Sequence, residues 1–162
     1  MNARILIVDD HEVVRKGVHS LLRRMRPNWE VCGEAASGTE GVEAANRLRP
    51  DLVILDLTMP SGSGLEAAAH ILGEGWGCRI LIFTMHESAG LEEEIRKAGA
   101  HGYVVKSQAG RDLVHAIDRI LAGGTFFDRQ VEPEPAPKKQ DPKTPGIMSR
   151  ISLALRWSAA IA

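Results

Sequence analysis

The feature that most constrains the fold is a regular alternation of short apolar runs with longer segments of helical periodicity. The runs begin at residues 4, 30, 52, 79 and 102, and the first, third and fourth are nearly continuous in Ile, Leu and Val. Such continuous runs are typical of strands buried on both faces of a parallel sheet. We predict strands over Arg4–Asp9, Glu30–Ala35, Leu52–Leu57, Arg79–Met85 and Gly102–Lys106.

The segments between these runs carry apolar residues at the three- and four-residue intervals of an amphipathic helix. Strict alternation of strand and helix predicts a doubly wound α/β domain with right-handed crossovers. We expect a five-stranded parallel sheet with five flanking helices, in the order 2-1-3-4-5 known for flavodoxin-like folds. The predicted sheet-facing positions are Val14, Val18, Leu21, Leu22 and Met25; Val42, Ala45 and Leu48; Leu65, Ala68, Ala69 and Leu72; Leu91, Ile95 and Ala98; and Leu113, Ile117, Ile120 and Leu121.

The composition changes after residue 127, and this change divides the chain into three parts. Residues 1–127 carry the alternation and form the predicted domain. Residues 128–146 hold five of the eight prolines and equal numbers of acids and bases, which predicts an extended, semi-rigid linker. Residues 147–162 are apolar apart from two arginines. This short tail is either helical or disordered, and the sequence leaves both open.

Charge and cysteine content exclude several classes of protein. A formal net charge of -1 provides no overall attraction to nucleic acid or to anionic membranes. Two cysteines imply no disulfide framework and fit a reducing compartment. The N-terminus does not resemble a signal peptide, and no apolar stretch reaches the roughly 18 residues of a membrane span. We therefore expect a cytoplasmic protein without a membrane span.

Two further motifs are interpreted conservatively. The six histidines have no zinc-ligand spacing, so we expect His11 and His86 to be solvated loop residues. The Gly62–Gly64 loop lacks the ending of a phosphate-cradling loop. We expect it to provide slack before the third helix.

Charged and hydroxyl side chains follow four of the five predicted strands. The carboxyl ends of parallel strands border the ligand crevice of an open α/β sheet. Asp9 and Asp10 end the first strand, Asp56 the third, Thr84 the fourth and Lys106 the fifth. We therefore expect these side chains to converge at one edge of the sheet.

The chemistry of this set points to a phosphoryl group. Two carboxylates about 4 Å apart repel by roughly 4 kcal/mol at an effective dielectric near 20. A hard divalent cation removes that cost, and Mg²⁺ suits carboxylate, carbonyl and phosphoryl oxygens. An ammonium and a hydroxyl supply the remaining contacts, while a central carboxylate is able to act as nucleophile.

These residues resemble a bacterial response-regulator receiver domain of two-component signalling. The segments that carry the resemblance are ILIVDDHEVVRKGV, DLVILDLTMPSGSGLE, RILIFTMHE and AGAHGYVVKS, and it extends over residues 4–127. The chain is most similar to the receivers that precede a LuxR-type helix-turn-helix. The resemblance implies a signalling domain, not an enzyme acting on other substrates, that catalyses only its own phosphoryl transfer and dephosphorylation.

The resemblance assigns a chemical role to the acidic residues. It implies that Asp56 accepts the phosphoryl group from a sensor histidine kinase or a phosphotransfer protein. Asp10 would coordinate Mg²⁺ directly, Asp9 largely through water, and Thr58 through its backbone carbonyl. The metal set implied is therefore Asp9, Asp10, Asp56 and the Thr58 carbonyl.

The resemblance also implies a switch. Lys106 would pair with a phosphoryl oxygen, and the hydroxyl of Thr84 would move onto the phosphoryl group. Tyr103 matches the aromatic residue that turns inward in response. Its spacing alone favours ordinary strand packing over a switch role. The expected output is a protein contact or a homodimer formed through the receiver.

Other functions remain open at this stage. A helix-turn-helix needs about sixty residues with a basic recognition helix, whereas 35 residues follow Phe127, so DNA binding by this chain is doubtful. The alternatives are a truncated transcriptional regulator that has lost its DNA-binding domain and a phosphate-independent interaction module. A haloacid-dehalogenase-like phosphatase would need a DxD motif on strand one, where Asp9 and Asp10 are adjacent. A flavin or nucleotide site would need a hydroxyl- or Gly-rich loop there.

Overall fold

The computed structural model describes residues 2–127. The predicted linker, 128–146, and the predicted tail, 147–162, lie outside the described residues. The strands of the main sheet are β1 (Ala3–Val8), β2 (Trp29–Ala35), β3 (Leu52–Asp56), β4 (Arg79–Thr84) and β5 (Gly102–Val105). The helices are α1 (Glu12–Met25), α2 (Gly38–Leu48), α3 (Gly64–Gly73), α4 (Leu91–Lys97) and α5 (Ala109–Leu121).

The main sheet has five parallel strands in the order β2-β1-β3-β4-β5. The prediction of a doubly wound, flavodoxin-like fold with five helices is confirmed. The register aligns the carboxyl ends of the central strands, because Val8 pairs with Leu55 and Thr84 with Val105. Asp9 therefore lies beside Asp56, and Lys106 directly follows Val105, the partner of Thr84.

Helices cover both faces of the sheet, which explains why the strands are apolar without alternation. One face packs against α2, α3 and α4, and the other packs against α1 and α5. Successive strand residues alternate between the two layers: Leu55 and Ile82 belong to the first, Ile54 and Leu81 to the second. Each central strand therefore contributes side chains to two cores.

The predicted inward face of two helices needs correction. In α3 the buried residues are Gly64, Ala67, Ala68 and Ile71, whereas Ala69 is exposed. The face is rotated because Gly64 begins the helix directly against the backbone of Asp56. In α1 the final residue, Met25, is 47% exposed because it lies beyond the last sheet-facing residue, Leu22.

The segment after α5 adds a contact that the sequence did not predict. Phe126 forms a parallel bridge with Gly102 at the outer edge of β5. Its amide donates to the carbonyl of His101 at 2.9 Å, and its carbonyl accepts from the amide of Tyr103 at 3.0 Å. The edge of β5 is thus partly paired rather than open.

Among residues 2–127, no helix is both long enough and apolar enough to cross a membrane.

Candidate functional site

The centre of the site is a buried arrangement of two carboxylates and one ammonium. Nζ of Lys106 lies 2.6 Å from Oδ2 of Asp9 and 3.2 Å from Oδ2 of Asp56. The three side chains come from the ends of β1, β3 and β5, and each is at most 7% exposed. Because buried charges persist only when they are compensated, Lys106 stabilises both carboxylates at once.

Burial makes Asp56 reluctant to ionise. Removal from water raises the pKa of its carboxyl group, the charge of Asp9 raises this pKa further, and the nearby ammonium of Lys106 lowers it in part. The amide of Thr58 also donates to Oδ1 of Asp56 at 3.3 Å, which favours the ionised form. The Asp56 carboxylate therefore lies close to one negative and one positive charge. An additional cation would stabilise its ionised form further.

Asp10 and His11 form the outer wall of the acidic cluster. Nδ1 of His11 lies 3.0 Å from Oδ1 of Asp10 and 3.2 Å from Oδ1 of Asp9. The backbone amide of His11 also donates to Oδ1 of Asp9 at 2.8 Å. His11 is an exposed loop residue, as predicted, but its ring, 62% exposed, also contacts both carboxylates.

The cluster suits a hard divalent cation. One potential ligand atom each from Asp9, Asp10, His11 and Asp56 falls within a common distance of 4.8 Å. Oδ1 of Asp10 is buried and accepts no hydrogen bond of good geometry from the described residues. Carboxylate oxygens in this number are the ligands that Mg²⁺ prefers. The residues present thus fit the metal that receiver domains generally bind at their acidic pocket.

A short hairpin supports the end of β3. Thr58–Met59 pairs with Gly62–Ser63, and α3 then begins at Gly64. A Cβ atom at Gly64 would lie 2.1 Å from the carbonyl oxygen of Asp56, so a side chain there would displace the strand end. The expectation of slack in this loop is therefore wrong. Glycine is required at position 64 because the start of α3 approaches the end of β3 closely. The sequence signal for this contact is a glycine that begins a helix shortly after an acidic strand end.

Thr84 lies at the end of β4, directly after Phe83, the residue that pairs with Asp56. Its hydroxyl donates to the carbonyl of His86 at 3.1 Å and accepts from the amide of His86 at 3.4 Å. The side chain is buried, whereas residues 85–90 are exposed throughout. One neutral hydrogen-bonding partner in an exposed loop therefore holds the hydroxyl.

Tyr103 lies on β5 opposite Ile82 of β4 and is partly buried against the core that α4 covers. Because side chains alternate along a strand, Thr84 faces the same layer as Ile82. Thr84 and Tyr103 thus share one face of two neighbouring strands. The switch roles predicted for them stay predictions.

One further contact at the site was not predicted from the sequence. Nη1 of Arg15 in α1 donates to the carbonyl of Asp9 at 2.8 Å, while its Nε donates to Glu34 at 3.1 Å. Arg15 therefore fixes the backbone of the acidic pair against β2. An Arg one turn into the helix after Asp9-Asp10 offers no sequence signal beyond ordinary amphipathic patterning.

Known proteins are similar to this chain in both sequence and fold. The chain is 37% identical over 134 residues to the nitrate/nitrite response regulator NarL of Escherichia coli, covering 81% of this chain and 60% of that protein. It is 36% identical over 145 residues to the DNA-binding transcriptional activator DevR/DosR of Mycobacterium tuberculosis, covering 86% of this chain and 66% of that protein. The match thus spans about three fifths of the first curated relative's length.

Solved structures of known proteins superpose on the same fold. A LuxR-family two-component response regulator from Aurantimonas sp. superposes with a TM-score of 0.75 at 43% identity, covering 80% of this chain and 91% of that one. The isolated receiver domain of RcsB from Salmonella enterica superposes with a TM-score of 0.72 at 25% identity, covering 80% and 95% of the two chains. The response regulator receiver domain family matches residues 5–118. With its parallel sheet and its acidic edge, the chain belongs to that family, the receiver domains of two-component response regulators.

Proposed function

We propose that this chain is a phosphoacceptor and that Asp56 is the residue phosphorylated. The observation that carries the proposal is that the Asp56 carboxylate shares the ammonium of Lys106 with Asp9 and lies 3.2 Å from it. A phosphoryl group on Asp56 would meet that ammonium directly. Its donor would be a phosphohistidine on a sensor histidine kinase or a phosphotransfer protein.

The transfer step balances as a displacement at phosphorus. An oxygen of the Asp56 carboxylate forms a bond to phosphorus while the bond between phosphorus and the imidazole nitrogen of the donor breaks. The imidazole departs with that electron pair and takes a proton from solvent. When bound by Asp10, Asp56 and the Thr58 carbonyl, with Asp9 acting through water, Mg²⁺ neutralises charge on the phosphoryl oxygens.

The remaining residues hold the product. The ammonium of Lys106 pairs with a phosphoryl oxygen, and the hydroxyl of Thr84 leaves the carbonyl of His86 to donate to another. The same site then permits attack by water on phosphorus, which returns Asp56 to its carboxylate and releases inorganic phosphate. The chain thus catalyses only reactions of its own aspartyl phosphate.

The output proposed for this domain is a contact with protein. Movement of Thr84 opens space on the face that Tyr103 shares, and Tyr103 turns inward. The surface formed by β5 and its flanking helices then pairs with a second copy or a target protein, in the cytoplasm. DNA binding is named for the relative DevR/DosR, and it is not part of this proposal.

The proposal is tested by intact mass after incubation with acetyl phosphate and Mg²⁺. We expect a gain of one phosphoryl group that chelation of the metal prevents. Asp56→Asn keeps the shape of the side chain but removes the nucleophile, so labelling should disappear. Asp51 lies just before the same strand, at its opposite end. Asp51→Asn is therefore the matched control and should label normally.

Two results would contradict the proposal. Labelling that persists in Asp56→Asn would place the phosphoryl group elsewhere. Failure of the folded protein to label or to bind beryllofluoride at any Mg²⁺ concentration would favour the phosphate-independent interaction module instead. Light scattering on the same samples tests the output, because dimerisation should accompany labelling.

A further inference from the structure

Two consecutive phenylalanines after α5 straddle the edge of the sheet. The ring of Phe126 packs on the α1/α5 side, edge-on to His115 at a centroid distance of 5.9 Å. Phe127 is 6% exposed and belongs to the other core, which also contains Leu91 and Ile95 of α4. This Phe126–Phe127 segment, which we term the catch, therefore touches both layers of the domain.

The catch is held by the backbone of β5. The two hydrogen bonds of Phe126 to His101 and Tyr103 attach it beside Gly102. A Cβ atom at Gly102 would lie 2.4 Å from the carbonyl oxygen of Phe126, so the fit requires glycine. Because Tyr103 donates its own amide to the catch, a backbone shift at Tyr103 alters this attachment directly.

The catch is also held by α4. The guanidinium carbon of Arg96 lies 3.7 Å from the centroid of the Phe127 ring, and its Nε donates to Glu92 one turn earlier at 2.9 Å. Glu92 thus fixes the guanidinium over the ring, where its charge attracts the π face. Lys97, the next residue, makes the corresponding ion pair with Glu93 at 2.8 Å. Among residues 2–127, its ammonium lies over no aromatic ring.

The catch is linked to the phosphoryl site through the loop that precedes α4. Thr84 holds that loop through His86, and α4 begins at Leu91, only five residues further on. If the hydroxyl of Thr84 turns to a phosphoryl group, the loop loses this attachment. Helix α4 and Tyr103, the two holders of the catch, are then free to move together.

We propose that the catch is a phosphorylation-controlled release point for the remainder of the chain. In the unphosphorylated protein Arg96 and the edge of β5 hold Phe126–Phe127 in place. Phosphorylation of Asp56 moves α4 and Tyr103 and releases the catch, so that the backbone leaving Phe127 gains freedom. The inference rests on the proposed function and adds the route by which the signal leaves the domain.

Hydrogen exchange on the full chain, with and without beryllofluoride and Mg²⁺, tests this proposal. We expect exchange in peptides containing the amides of Tyr103 and Phe126 to accelerate about tenfold with beryllofluoride. Arg96→Ala should accelerate it about threefold without the phosphomimetic, since it removes the cation–π contact and the exposed pair with Glu92 but leaves the hydrogen bonds to β5 in place. Gly102→Ala should release the catch outright and abolish any further response.

Lys97→Ala is the matched control, because it removes the same kind of exposed ion pair from α4 but leaves the Phe127 contact intact. It should exchange like the unmodified protein. Intact mass with acetyl phosphate is measured on the same samples. Normal labelling of Asp56 with unchanged exchange at Phe126 would overturn the release mechanism while leaving the phosphoacceptor proposal in place. Equal effects of Arg96→Ala and Lys97→Ala would also overturn it, and loss of labelling would refute the phosphoacceptor proposal first.

Discussion

The two halves of the carboxyl edge of the sheet are held by different forces. On the β1–β3 side, Asp9 and Asp56 are buried and share one ammonium at 2.6 and 3.2 Å. On the β4 side, Thr84 relies on a neutral hydrogen bond of 3.1 Å to an exposed loop. Breaking a buried ion pair costs about 3–5 kcal/mol, whereas a neutral hydrogen bond contributes only about 1 kcal/mol net.

This difference divides the edge into a half whose geometry is fixed by buried charges and a half whose hydrogen bond is easily exchanged. The charged half keeps its geometry because removing the ammonium of Lys106 would leave two carboxylates uncompensated in the interior. The hydroxyl half exchanges partners at little cost, since water replaces Thr84 at the carbonyl of His86 in the exposed loop. Under the proposed function the charged half carries the chemistry and the hydroxyl half carries the response, and substitutions should separate them.

The largest effect is expected from Lys106→Met, which keeps the length of the side chain but leaves Asp9 and Asp56 without a cation. We expect the free energy of unfolding to fall by about 3 kcal/mol at neutral pH, measured by urea denaturation. Lys97→Met removes an exposed pair and should change it by less than about 0.5 kcal/mol. Equal losses in the two variants would show that the buried ammonium has no special weight.

A smaller effect, of opposite sign, is expected from Asp56→Asn. The pKa of Asp56 is raised in the folded state. At pH values between the unfolded and the folded pKa, the folded protein therefore holds a proton that the unfolded chain has lost. Stability contributed by Asp56 therefore falls as pH rises from the usual carboxyl range through the raised pKa. Removing the charge should stabilise the protein by about 1 kcal/mol at neutral pH.

Thermal unfolding at several pH values checks this sign. The gain from Asp56→Asn should shrink as pH falls through the carboxyl range, where the native Asp56 is already protonated. Asp51→Asn, an exposed position, should show no such dependence. A gain that grew with acidity would mean that Lys106 outweighs burial and the pKa of Asp56 is in fact lowered.

The smallest effect on stability is expected from Thr84→Val, at most about 1 kcal/mol, because only a neutral hydrogen bond is lost. Phosphoryl uptake at Asp56 should continue, while dimerisation and exchange at Phe126 should cease to respond to beryllofluoride. Thr84→Ser retains the hydroxyl and should restore both responses. A full response in Thr84→Val would remove the hydroxyl from the switch and blur the division between the two halves.

Most of the fold could be predicted from the sequence because its signals are periodic. All five strands match their predicted ranges to within two residues at either end, since continuous apolar runs are rare outside buried strands. The convergence of Asp9, Asp10, Asp56 and Lys106 followed from topology, because parallel strands deliver their ends to one edge. Side-chain position along the helices was less certain: Ala69 proved exposed because the start of α3 is fixed by Gly64 rather than by its apolar stripe.

The contacts missed from the sequence depend on the path of the backbone in three dimensions. His11 contacts the acidic pair through the path of the β1–α1 turn, which no spacing rule for metal ligands contains. Arg96 meets Phe127 only because the segment after α5 returns to the edge of β5. Such contacts need the tertiary structure, whereas strand ends need only the topology.

The parallel direction of the bridge between Gly102 and Phe126 has a geometric consequence. At Phe127 the backbone travels the same way as β5, toward the end of the sheet at which Asp56 lies. Because Gly102 is the first residue of β5, however, the bridge itself lies at the amino end of that strand. A change at the Asp56 end would therefore have to pass along the four residues of β5, each rising about 3.3 Å, to reach the bridge at Phe126.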